Sequence, residues 1–182
     1  MRNKISRLLI LMGLLVLIGS LFLILHFKSV ENRALTSFEE KIEKNEVIAN
    51  VAKGDEIGII EIKSISLKNV IVESIEDKYL RYYICHFENS AMPGEEGNFA
   101  LAGHSSTYFA NQVFNELHKV EIGDEIKIKT INDEFIYTIT ETSVIEPEDT
   151  YVLDQDMGKK EITIITCTNS GKQRFLVKGE IK

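Results

Sequence analysis

Residues Leu8 to Phe27, LLILMGLLVLIGSLFLILHF, carry no charged side chain, and only glycines, Ser20 and His26 interrupt the apolar run. As a helix, even the 18 residues ending at Leu25 rise about 27 Å, close to the roughly 30 Å hydrocarbon core of a bilayer. A cleaved signal peptide has a shorter apolar region followed by small residues at the cut, and the adjoining KSVENRAL offers no clear site. The segment therefore reads as an uncleaved signal anchor over residues 8–27, ahead of a cleaved signal or a buried core helix. Arg2, Lys4 and Arg7 favour a cytoplasmic N-terminus over residues 1–7, against Lys28, Arg33, Lys41 and Lys44 on the other flank.

The chain beyond this segment is short and acidic. Of the 182 residues, 155 lie beyond Phe27; only three of the 21 basic residues and none of the 28 acidic ones precede them, which leaves a formal charge of −10. That balance opposes a nucleic-acid partner, which needs a basic face to displace counterions. Two cysteines are too few for a disulfide scaffold, and no Cys-x-x-Cys pair suggests zinc. Residues 28–53 read as a stalk, in which Leu35, Phe38 and Ile42 predict a short amphipathic helix lying against the domain or the membrane surface.

From Gly54 the period changes to two. Strands are expected over Ile57–Ile62, Asn69–Glu73, Asn98–Ala102, Glu125–Thr130, Phe135–Thr142, Glu161–Cys167 and Arg174–Ile181, with turns at Ile122-Gly123-Asp124, Asn132-Asp133 and Asn169-Ser170-Gly171. Phe109, Val113, Phe114 and Leu117 take helical spacing within Thr107–His118. Many short strands with few helices predict a barrel or sandwich over residues 54–182.

Cys167 ends the apolar strand Ile162-Thr163-Ile164-Ile165-Thr166, and the turn TNSGKQ leads to Arg174. Paired as a hairpin, the two residues sit side by side at its mouth, where a cation stabilises a thiolate and holds a developing oxyanion. His104 comes after the apolar Phe99-Ala100-Leu101-Ala102 and a glycine, at the open end of a strand. His86 adjoins Cys85, but strand neighbours point to opposite faces, an arrangement poorly suited to proton transfer. His118 ends the predicted helix, where a cation favours the dipole, and His26 lies at the membrane boundary. Glu95-Glu96 reads as a solvated turn rather than a calcium site, since hard cations need several convergent oxygens.

Together, NFALAGHSS around His104, EITIITC ending at Cys167, and Arg174 seven residues later resemble a sortase, a Gram-positive cysteine transpeptidase. GDEIGIIEIKSISL and MPGEEGN resemble further segments of that family, so the likeness runs from about Gly54 to Lys182. The pattern is most similar to class D, then to classes A and B. The pilin-polymerising class has a lid motif beginning Asp-Pro, whereas here Pro93 follows Met92 and Pro147 follows Glu146. Lys63 departs from the proline usual after the first strand and touches no catalytic role.

The resemblance implies a closed eight-stranded β-barrel and a Leu-Pro-x-Thr-Gly-like sorting signal on a surface protein as substrate. It implies Cys167 as nucleophile, His104 as proton donor to the departing amine, Arg174 as holder of substrate or oxyanion, and Thr166 in the binding site. A peptidoglycan precursor or cross-bridge amine resolves the thioester, with the catalytic domain outside a single-pass membrane anchor. No metal or cofactor is expected. Reference pKa values of about 8.5 for Cys and 6.5 for His leave only about 1% as the thiolate–imidazolium pair, a gap of roughly 2.7 kcal/mol. Two rival readings use the same sequence: a cysteine hydrolase with water as acceptor, and a non-catalytic, membrane-tethered β-barrel binding domain. The Ser-x-Gly-Cys-x-Arg signature of an L,D-transpeptidase is absent around Cys167.

Overall fold

A computed structural model of the chain describes residues 2–46, 50–105 and 111–181. Its first element is one helix, α1 (Arg2–Lys44). Neither glycine nor proline occurs between Lys28 and Lys44, and Ala34, Leu35, the glutamates and the lysines there are good helix formers. The apolar segment and the expected stalk helix therefore fuse into a rod about 64 Å long. It ends on Asn45 in the left-handed region (φ 53°). The Asn45 and Glu46 amides donate back to Ile42 O and Lys41 O, each at 3.1 Å, which closes the last turn in a Schellman motif.

The two halves of α1 meet different surroundings. Residues 4–26 are exposed on every side, and the helix is long and apolar enough there to cross a membrane. From Phe27 onward one face is covered. Phe38 (0% exposed) and Ala34 pack on Ile59, Val70 and Val72, with Leu35 and Ile42 half-buried beside them. Burying a phenylalanine in this way contributes roughly 1.5–3 kcal/mol, and the ion pair Lys41–Glu56 (2.8 Å) lies at the rim.

Eight strands form the rest: β1 (Glu56–Ile62), β2 (Leu67–Glu73), β3 (Ile84–His86), β4 (Gly97–Ala102), β5 (Glu125–Lys129), β6 (Glu134–Ile145), β7 (Lys160–Thr168) and β8 (Gln173–Glu180). They close into a barrel in the order β1-β2-β3-β4-β7-β8-β6-β5. The β2–β3 and β4–β7 pairs are parallel and the others antiparallel. A one-turn helix, α2 (Asp77–Leu80), lies between β2 and β3.

Alternation decides which side chains fill the barrel. Phe99 and Leu101 of β4 pair with Ile162 and Ile164 of β7, and all four lie in the main core with Val177 of β8. Within the predicted helix Thr107–His118, residues 107–110 lie outside the described residues. The described part is a set of turns closing with a 3-10 helix at Leu117–Lys119, not an α-helix. Its apolar residues still enter the core, because the Phe114 amide donates to His104 O (2.9 Å) and turns Phe114 and Leu117 inward.

Candidate active site

Cys167 lies on β7 and Arg174 on β8, while His104 follows two residues after the end of β4, the other neighbour of β7. Cys167 and Arg174 are Cα partners in the antiparallel β7–β8 ladder, which puts their Cβ atoms about 5 Å apart on one face. The hairpin closes through Ser170 (φ 56°) and Gly171 (φ 85°), a left-handed pair that glycine adopts without steric cost.

His104 joins from the other side. The parallel β4–β7 register runs from Gly97↔Lys160 to Ala102↔Ile165, and two residues further along it His104 stands opposite Cys167. Three contacts hold the strands together beyond the last ladder pair. Gly103 N donates to Ile165 O (3.4 Å), Thr166 Oγ1 donates to Gly103 O (2.7 Å), and Ser105 Oγ donates to Cys167 O. Gly103 must lack a side chain: a Cβ there would meet Phe114 and Val113 at 2.7 Å.

Facing obeys the same alternation. Leu101, Ile164, Thr166 and Val177 are buried, and all but Thr166 belong to the main core cluster. Cys167, Arg174 and the His104 position therefore share the outer face, one residue out of phase with the core. Thr166 is buried, and its hydroxyl is committed to the strand that carries His104. Arg174 Nη1 donates to Gly171 O (2.9 Å) and Gln173 O (3.1 Å), so the guanidinium is folded over its own hairpin turn.

A pocket of about 190 Å³ opens beside Cys167, lined by Ser105, Phe114, Asn115, His118, Thr166, Thr168 and Phe175. Sequence reasoning missed Ser105 and Asn115, which carry no periodic signal, and read His118 only as a helix end. His118 Nδ1 donates to Asn115 O (3.0 Å); a carbonyl can only accept, so the proton sits on Nδ1. His104 is half-buried, and that burial lowers its pKa below the ordinary imidazole value, with the Asp77 carboxylate pulling the other way.

The second Cys–His pair is built differently. Cys85 is fully buried on β3, and burial pushes its thiol up to about 12. His86 is locked in place: Nδ1 donates to Glu73 Oε2 (2.6 Å), while Nε2 meets Ser90 Oγ (2.8 Å) and Ala91 O (3.1 Å). These bonds tie β2 and β3 to the loop before β4. Among the described residues no group of three or more His, Cys, Asp and Glu side chains is arranged to hold a metal.

Residues 60–182 match the Sortase domain family. The chain is similar to a solved Clostridium perfringens Sortase D5 transpeptidase, with a TM-score of 0.78 and 44% identity, covering 85% of this chain and 99% of that one. It is 28% identical over 142 residues to Sortase D of Bacillus subtilis (strain 168), covering 75% of this chain and 69% of that protein. A Clostridium perfringens sortase C, solved with the C-terminal cell wall sorting motif, shares the fold at a TM-score of 0.68 and 22% identity, covering 82% of this chain and 86% of that one.

Proposed function

The chain belongs to the sortase family of cysteine transpeptidases, and on that premise we propose that it cleaves a Leu-Pro-x-Thr-Gly-like sorting signal and transfers the Thr-ended protein to a cell-wall amine. The Clostridium perfringens Sortase D5 and the Bacillus subtilis Sortase D are both class D sortases, in line with the motifs. The observation that carries the reading is that Cys167 pairs with Arg174 across β7 and β8, while the β4–β7 register, continued two residues, brings the His104 backbone alongside Cys167.

Each of the three residues has chemistry to do. The Cys167 thiolate attacks the Thr carbonyl carbon, forming a C–S bond while the carbonyl π electrons move to oxygen. The Arg174 guanidinium, one strand away, stabilises that oxyanion or holds the peptide. As the carbonyl re-forms, the Thr–Gly C–N bond breaks, and imidazolium His104 gives its proton to the leaving amine. A second amine then attacks the thioester, loses a proton to neutral His104, and releases the Cys167 thiolate. Thr166 fixes the spacing of the two strands through Gly103 and walls the pocket.

The chain divides accordingly. Residues 1–7 form the cytoplasmic end, 8–27 the membrane anchor, 28–53 the stalk, and 54–182 the catalytic barrel outside the cell. Anchoring raises the effective concentration of membrane-borne donors and acceptors. The test is a pair of substitutions: Cys167→Ala abolishes cleavage of a sorting peptide, while Cys85→Ala keeps most of it. Equal loss in both variants, or full activity in Cys167→Ala, overturns the assignment.

A further inference from the structure

The barrel meets α1 at the level where the apolar segment ends. The ring of Tyr82, just past α2, packs on Phe27 at 5.6 Å and on His26 at 6.3 Å, and Tyr83 packs on Tyr82 at 6.0 Å. Phe27 lies two residues beyond Leu25, a rise of about 3 Å along the helix. The headgroup layer outside the hydrocarbon is roughly 5–8 Å thick on each side. A tilt of about 20° moves a ring some 8 Å off the axis by about 3 Å either way, which leaves it within that layer.

The turn carrying Tyr82 is held at this height by hydrogen bonds. The Asn111 amide donates to Arg81 O (2.7 Å), and Asn111 Nδ2 donates to Tyr82 O (3.2 Å) and to Glu31 Oε2 on α1 (2.9 Å). Glu31 also accepts from Asn69 Nδ2 of β2 (3.1 Å). Helix, turn and sheet are thereby fastened about one helical turn beyond Phe27. Arg81 is exposed on the turn and Lys28 on the helix, two cations at the level where anionic lipid headgroups lie. A tyrosine with an apolar ring and a hydroxyl is the side chain that favours this layer.

We propose that the turn from Asp77 to Tyr83 is a second, peripheral contact with the phospholipid bilayer. Tyr82 sits in the headgroup layer beside the span, and the contact fixes how the barrel is tilted on the membrane. The inference rests on reading residues 8–27 as membrane-spanning. It sets the direction in which the candidate site faces. Two residues separate Asn111 from Phe114, a site wall bonded to His104 O, so at most about 11 Å of chain lies between the turn's anchor and the site. The end of the barrel carrying His104 and Cys167 therefore opens close to the bilayer surface.

The chain contains no tryptophan, so single Tyr82→Trp, Leu17→Trp and Lys44→Trp variants of the full chain each carry one reporter. The three proteins are reconstituted in phosphatidylcholine–phosphatidylglycerol vesicles with bromine either near the ester end or near the methyl end of the acyl chains. Cleavage of a soluble sorting peptide checks that each is folded. The expected result is that Tyr82→Trp loses more than half its emission to shallow bromine and much less to deep bromine. Leu17→Trp shows the reverse order. Lys44→Trp, about 28 Å further along the same helix than Leu25, keeps its emission with both. A Tyr82→Trp signal as unaffected as that of Lys44→Trp, with Leu17→Trp quenched, overturns the docking surface and leaves the span standing. Unquenched Leu17→Trp overturns the span and the docking surface together. Quenching of Lys44→Trp as strong as that of Tyr82→Trp also overturns the proposal, because the barrel then lies flat on the membrane rather than resting on one turn.

Discussion

Alkylation of the folded chain distinguishes its two cysteines by a margin the structure fixes. Cys85 is 0% exposed, with Sγ 3.9 Å from Tyr83 O, and burial raises its thiol to about 12. Iodoacetamide reacts with thiolate. At pH 8 such a thiol is ionised in about one molecule in 10⁴, whereas a solvated thiol near 8.5 is about one quarter ionised. Ionisation alone slows Cys85 on the order of 10³-fold, before any exclusion of reagent by the packed sheet. Cys167 is half-buried beside a pocket of about 190 Å³, large enough to admit a small alkylating agent. A time course at pH 8, read by intact mass and peptide mapping, is expected to add one carbamidomethyl group, on Cys167. The same reagent in guanidinium adds two. Modification of Cys85 in the folded protein at a rate within tenfold of Cys167 would refute the reasoning, because neither the buried position nor the raised pKa allows it.

The site supports four further expectations. Arg174→Lys replaces a rigid fork of donors by a point charge and is expected to fold normally yet lose on the order of 10²-fold in kcat; near-native turnover reduces Arg174 to a general electrostatic role. Thr166→Val removes the buried donor to Gly103 O and costs about 1–3 kcal/mol in urea unfolding, so an unchanged midpoint contradicts the link between β7 and β4. His104 has a folded-state pKa below its ordinary 6.5, so below about that pH the unfolded chain takes up a proton that the folded one resists. Its contribution to stability is therefore lost as pH falls below about 6.5. Asp77→Asn removes the charge that raises the His104 pKa and is expected to move the imidazole NMR midpoint further down; an upward shift contradicts it.

Period two was readable most directly where a strand is half-buried, as β5 and β6 are. Ile126 and Ile128 alternate with lysines, and Phe135 to Thr142 alternates across a sheet, so β5 and β6 fall where period two predicts. Strand β3 escaped, since it is three residues long and buried throughout, leaving no alternation to see. β6 runs on to Ile145 because Ser143, Val144 and Ile145 pair with β8, a long-range partnership that no local signal encodes. The apolar spacing near Phe114 marks core residues correctly, yet tight turns and a 3-10 helix meet it as well as an α-helix does.

The candidate site divides in the same way. Cys167 and Arg174 are joined by a short hairpin, and its turn residues predict their pairing. The backbone just beyond β4, which carries His104, meets β7 across a parallel pair more than 60 residues apart in sequence, a pairing that no local signal encodes. The inward direction of Thr166 was legible in principle, because neighbours on a strand face opposite sides.

The central claim is that Cys167 forms a thioester that an amine resolves. Incubating the chain with a Leu-Pro-x-Thr-Gly-like peptide and rising concentrations of hydroxylamine or an oligoglycine amine, with mass spectrometry of both halves, tests it most directly. The predicted result is release of the glycine-containing fragment and a Thr-ended hydroxamate or amide whose share grows with amine concentration and vanishes in Cys167→Ala. Free Thr carboxylate alone at every amine concentration, or no cleavage of any sorting peptide by a folded protein with a free Cys167 thiol, would contradict it.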